Sequence, residues 1–130
     1  MRRFILLLCL LSCGCGKTKS TDQLIADLKS AEEKDRIIAV RLLPERKEDA
    51  GRVVPALISC LQDKHGEIRW SAAIALGTFG EQASDAIPAL QTAQSDRDAR
   101  VREAAAVALF RIDPAQFPAP SKPRPPAGKR

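Results

Sequence analysis

At 130 residues the chain has room for one small domain and its flanking segments. Hydrophobic residues make up 45% of it, enough for a packed core, but aromatics are only 4% and tyrosine is absent, which argues against a β-sandwich core. The formal charge of +5 is concentrated at the ends: residues 20–113 hold 13 basic and all 16 acidic residues, a net −3. A nucleic-acid-binding body would carry its positive excess on the folded part, so this distribution disfavours nucleic acid as a partner.

The chain opens with a short positive segment, Met1-Arg2-Arg3, followed by an unbroken apolar run from Phe4 to Leu11. Eight residues fall far short of the roughly 20 needed to span a bilayer as a helix. The pattern is that of a signal peptide. The following Leu10-Leu11-Ser12-Cys13 resembles the bacterial lipoprotein lipobox, with an aliphatic residue, then a small residue directly before the cysteine. That resemblance implies removal of residues 1–12, a diacylated Cys13, and export to the bacterial envelope with a lipid anchor in a membrane. Leu11 is a less usual residue for its place. Cys15, preceded by Gly14, is a competing site, and an ordinary secretory signal with incidental cysteines is the other reading. Residues 13–20 read as a lipidated flexible tether.

The body repeats at a spacing of 33 residues without a gap. Leu24, Leu57 and Leu90 align, as do Arg36, Arg69 and Arg102, Ala39, Ala72 and Ala105, and Leu43, Leu76 and Leu109. Pro55 aligns with Pro88, Asp63 with Asp96, and Ile68 with Val101. Each unit carries two apolar segments of helical spacing. In the second unit Val54, Leu57, Ile58 and Leu61 share one face, and Ile68, Ala72, Ala75, Leu76 and Phe79 share another. The spacing predicts helices at 22–28 and 35–43 in the first unit, and at 88–93 and 101–112 in the third. Ser20 or Thr21 is placed to cap the first helix. Gly66 and Gly80 fall at expected loop positions. One helix pair cannot bury its apolar face alone, but stacked neighbours can. The fold class is therefore all-α, a short superhelical stack of three helix pairs over about 21–47, 51–80 and 84–113.

The intervals Pro55–Asp63–Arg69 and Pro88–Asp96–Arg102, with the strings IRWSAAIALGTFG (68–80) and VREAAAVALFRID (101–113), resemble the HEAT-repeat family, including the bacterial HEAT-like repeats of phycobilisome-lyase proteins. The resemblance covers 21–113. It implies a proline that bends each first helix and a structural ladder between repeats made by Asp63, Arg69, Asp96 and Arg102. The first unit departs from the pattern: Asp22 stands in place of the proline, Ser30 in place of the ladder aspartate, and Asp35 in place of the apolar residue before Arg36.

Asp113-Pro114 ends the last predicted helix, since proline cannot continue it. Residues 114–130 hold six prolines and no aliphatic side chain larger than alanine, and read as a disordered, basic, polyproline-like tail. No catalytic constellation emerges. His65 has Asp63 and Glu67 beside it but no nucleophile in a recognisable motif, and reads as a surface turn residue. Cys13 and Cys15 lack the second ligand pair that a zinc site needs. Cys60 reads as a semi-buried thiol, and no metal or cofactor is expected.

The candidate binding surface lies on the second helices. Trp70 and Ile74, four residues apart, share a face away from the predicted core. Their equivalents at the repeat spacing are Ile37 and Arg41, and Glu103 and Val107. Second helices line the concave side of HEAT-like stacks, so the resemblance places Trp70 mid-groove with Ile37, Ile74 and Val107 nearby. Tryptophan is among the side chains most enriched at interface hot spots. The sequence thus points to a non-enzymatic scaffold for an unidentified protein partner, with self-association through uncapped ends as a further expectation. The alternatives are a bilin lyase-like enzyme or a HEAT-like nucleic-acid-binding protein, both drawn from family resemblance.

Overall fold

The computed structural model describes residues 19–121. The expected signal peptide, Cys13 and the end of the basic tail lie outside the described residues. Six α-helices follow in order: α1 Thr21–Asp27, α2 Glu33–Leu42, α3 Ala50–Cys60, α4 Gly66–Phe79, α5 Ile87–Ala93 and α6 Ala99–Ile112. Short 3-10 turns link α2 to α3 and α4 to α5, and no strand occurs among the described residues. The helices form three pairs, one per 33-residue unit. The second helices α2, α4 and α6 pack side by side, and α3 and α5 back them.

The aligned leucines explain the stack. Leu24, Leu57 and Leu90 from the first helices, Leu76 and Leu109 from the second, and Leu43 directly after α2 are fully buried. Alanines fill the helix crossings, with Ala39, Ala72, Ala73 and Ala105 fully buried as well. Gly77 is part of the same requirement. A Cβ there would come within 3.1 Å of the Ala108 backbone, so its absence sets how closely α4 and α6 approach.

Ser20, not Thr21, caps α1. Its hydroxyl accepts from the Gln23 amide at 3.3 Å, and the Gln23 side chain accepts in return from the Ser20 amide at 2.9 Å. Thr21 instead donates its hydroxyl to Asp49 at 2.5 Å. Gly80 has φ of 55°, a region that favours glycine, and turns the chain out of α4. The loop expectation for Gly66 is corrected: it is the first residue of α4 and does not have a positive φ. A Cβ there would lie 2.6 Å from Asp98 Oδ2 in the next turn, so any larger residue requires the Asp98 carboxylate to shift.

The two aligned prolines play different parts. Pro55 lies inside α3, whereas Pro88 sits in the first turn of α5. A proline is readily accepted there, because the first-turn amides have no partner within the helix. The tail is also more ordered at its start than its composition predicts. Asp113 closes a turn by accepting from the amides of Ala115 and Gln116 at 3.1 and 3.0 Å. Phe117, the one large apolar residue of the tail, then folds back half-buried against the core.

Candidate protein interface

The ladder is built from one repeated arrangement. In each unit the arginine donates through Nη1 to carbonyls of its own inter-helix turn: Arg36 to Ser30 at 2.8 Å, Arg69 to Asp63 at 2.8 Å, and Arg102 to Asp96 at 2.8 Å. The other side of the guanidinium reaches the next unit. Arg36 Nε donates to Asp63 at 3.0 Å, and Arg69 donates to Asp96 through Nε at 2.8 Å and Nη2 at 2.9 Å. Arg102 has no carboxylate partner among the described residues and is exposed. Each ladder aspartate also closes its own turn, accepting the amide of His65 at 2.9 Å or Asp98 at 2.8 Å. Ser30 keeps that turn role by accepting from the Glu32 amide at 3.1 Å, but offers no carboxylate. So the departure at Ser30 does not break the rung between units one and two; Arg36 forms it with Asp63.

This pairing shifts the titration of its members. The hydrogen bonds from Arg69 hold the Asp96 carboxyl below the usual carboxylate range, and Asp96 in turn raises Arg69. Burial, followed by the charge of Asp63, pushes the Cys60 thiol up to about 11. His65 Nδ1 lies 3.0 Å from Glu33 of the preceding unit, a neighbour that sequence spacing does not reveal.

With the three pairs locked in register, the face of the second helices carries two grooves separated by Trp70 and Ile74. The larger, about 420 Å³, runs between α4 and α6 and is bounded by Trp70, Ile74, Arg100, Val107 and Arg111. The smaller, about 240 Å³, lies between α2 and α4 against Arg41, Pro44 and Thr78. The structure therefore brings Trp70, Ile74 and Val107 together. Ile37 lines neither groove; it packs half-buried against the core. Ile74 is 40% exposed at the centre of this face.

Sequence reasoning missed the groove's charges. Arg100 stacks over the Trp70 ring, 6.0 Å from its centroid, and is held by Asp98 at 2.9 Å and Glu67 at 3.3 Å. Asp98 and Arg100 bind each other's charge, which lowers the first and raises the second in pKa. Glu67 also accepts from Arg41 at 2.8 Å, so it links all three units along the rim. Arg111 lays its stem over Gly77 at the far end and makes no ion pair among the described residues. The signal for Arg111 was available in the sequence, one helical turn beyond Val107, but its place over Gly77 depends on the helix crossing.

Among the described residues no group of histidine, cysteine and acidic side chains is arranged to hold a metal, and no helix is long and apolar enough to cross a membrane. No curated protein sequence matches the chain closely enough to count as a relative. The chain is similar to a solved structure of the complex of CpcE and CpcF of phycocyanin lyase from Nostoc, with 30% identity and a TM-score of 0.67, over 75% of this chain and 39% of that one. It is similar in fold to an engineered protein, with 22% identity and a TM-score of 0.62, over 73% of this chain and 46% of that one. The chain thus spans less than half the length of either. The family model for HEAT repeats matches residues 21–110. With three stacked helix pairs and this match over most of its length, the chain belongs to the HEAT-repeat family.

Proposed function

We propose that the chain is a non-enzymatic scaffold that holds a protein partner on the face of its second helices, at the bacterial envelope, where Cys13 carries a lipid. The observation that carries the reading is the α4–α6 groove. Its centre is apolar, with Ile74 and Val107 beside Trp70, and two of its lining charges, Glu103 and Arg111, make no ion pair among the described residues. Arg100 at the other end is already neutralised by Asp98 and Glu67. The occupant that fits is a segment offering one or two apolar side chains to the Trp70 end, a carboxylate to Arg111 and a cation to Glu103. A partly desolvated aromatic anchor beside a guanidinium is the kind of site where binding energy concentrates. The Arg36–Asp63 and Arg69–Asp96 rungs on another side of the stack are already paired within the chain and offer less to a partner.

The test is capture from envelope extract with the full chain, beside Trp70→Ala, Arg111→Glu and, as a control away from the groove, Arg52→Ala. Retention of a partner by wild type and Arg52→Ala, with loss from both groove variants, supports the reading. Equal retention by all four chains overturns it. The lipid is tested by fractionation: wild type partitions with membranes, Cys13→Ser remains unprocessed and does not carry the lipid, and a wild type found in the soluble fraction overturns that part.

A bilin lyase-like enzyme is a second reading, supported by the 30% identity to the phycocyanin lyase complex. It rests on a likeness covering 39% of that chain. New visible absorbance on incubating the chain with a bilin and its acceptor protein would establish it over the scaffold reading.

A further inference from the structure

The repeat register shows which way each second-helix residue points. Ser71 and Ala75 of α4 line the groove against α2. Ala108 of α6 lies against Gly77 of α4, and Ala104 shares that groove. These positions face the preceding unit, and all four residues are buried. Their equivalents in the first unit are Ile38 and Leu42, which are 47% and 38% exposed. The stack thus ends with two large aliphatic side chains at sites where the later units bury small ones.

Two charges extend this stripe. Lys34 is equivalent to Glu67, which reaches back to Arg41 of the preceding unit. Glu45 is equivalent to Thr78, which lines the groove facing α2. Lys34, Ile38 and Leu42 follow one another along the outer side of α2, and Glu45 ends the 3-10 turn that continues it. Lys34 and Glu45 are exposed, and neither makes an ion pair among the described residues.

We propose that this end of the stack is an interface with a second copy of the chain, related by a two-fold axis near residue 40, in the second half of α2. Antiparallel pairing sets Ile38 of each copy against Leu42 of the other and Lys34 of each against Glu45 of the other. One patch is thereby complementary to itself, as a two-fold interface requires. Head-to-tail stacking is disfavoured by the ladder. It would bring Arg102 of one copy to Ser30 of the next, where the rung needs a carboxylate. Phe117 also folds back against the core beyond α6. One helix-pair face is small for an interface, so the pairing is weak and reversible.

The test uses two differently tagged full-length copies, co-expressed and purified through one tag in mild detergent. Wild-type copies co-purify. Leu42→Asp separates them, because it buries a charge against apolar side chains. Lys34→Glu and Glu45→Lys each weaken pairing about tenfold, since each creates two like-charge contacts per dimer. Combining Lys34→Glu with Glu45→Lys in one chain restores pairing, an outcome that misfolding or a general charge effect does not produce. Circular dichroism checks that each variant is helical, and Trp70→Ala pairs as wild type does, which separates this interface from the groove. Failure of the combined variant to recover overturns the proposal, as does wild type that never co-purifies. Leu42→Asp that keeps pairing but loses retention on phospholipid vesicles also overturns it and assigns the patch to a bilayer instead.

Discussion

Asp96→Ala removes one carboxylate and leaves Arg69 in place. Two charge-assisted hydrogen bonds at 2.8 and 2.9 Å disappear, and with them the turn bond accepted from the Asp98 amide at 2.8 Å. The guanidinium keeps its bonds to the Asp63 and Lys64 carbonyls but remains only 5% exposed, so it loses its counter-charge without regaining water. Breaking a fully buried pair by removing one partner costs about 3–5 kcal/mol. This rung lies at the edge of the stack, with the Asp96 side chain 13% exposed, which lowers the cost to about 2–3 kcal/mol. At about 4–8 °C per kcal/mol for a domain of this size, the variant melts some 10–20 °C below wild type in far-UV circular dichroism at neutral pH. Arg69→Met combined with Asp96→Leu recovers most of the loss, because no unpaired charge remains buried. The pH dependence has a definite sign. Arg69 depresses the folded pKa of Asp96 below its unfolded value. The stabilisation is therefore complete above the ordinary carboxylate pKa of about 4 and is lost as pH falls through the folded pKa. The gap between wild type and Asp96→Ala narrows in strongly acidic solution. A gap of less than about 3 °C at neutral pH, or one that stays constant into acid, refutes the reasoning.

Gly77→Val forces a side chain against the Ala108 backbone, 3.1 Å from the added Cβ, and costs about 1–3 kcal/mol by urea unfolding. A neutral substitution would mean that α4 and α6 separate freely. Gly80→Ala makes only an ordinary contact, with the Arg111 carbonyl oxygen 3.8 Å from the added Cβ, but its φ of 55° costs about 1 kcal/mol through backbone strain. The Cys60 thiol, buried and titrating at about 11, reacts slowly with maleimide at neutral pH in the folded chain and rapidly in denaturant. Peptide-resolved labelling measures both rates, and equal rates would show that Cys60 is accessible.

Much of the fold was legible because its determinants are local. The apolar spacing from Ile68 through Ala72, Ala75 and Leu76 to Phe79 is the buried face of α4, and all five are buried. Helix limits moved by one or two residues, as at α6, where Asp98 accepts from the Arg100 amide at 3.0 Å and starts the helix before Val101. Phe117 was hidden because the prolines around it dominate the composition of its segment. The groove was legible in part. Trp70, Ile74 and Val107 shared a helical face in the sequence, but Ile37 occupies the same repeat position as Trp70 and still packs against the core.

The sequence by itself determined the number of helix pairs and their 33-residue period, since these follow from side-chain type at fixed intervals along one chain; the ladder was implied by the family resemblance, and its carboxylate rungs use Arg36 and Arg69 but not Arg102. Tertiary structure decided what each interval meets. The rungs join residues 27 apart, Arg36 to Asp63 and Arg69 to Asp96, because each unit is shifted against the last along the stack. The same shift makes Gly66 a point of close approach to Asp98, puts Arg111 over Gly77, and leaves Ile38 and Leu42 exposed where Ser71 and Ala75 are covered. A period repeats identically in every unit, but a stack has two ends, and only packing distinguishes the ends from the middle.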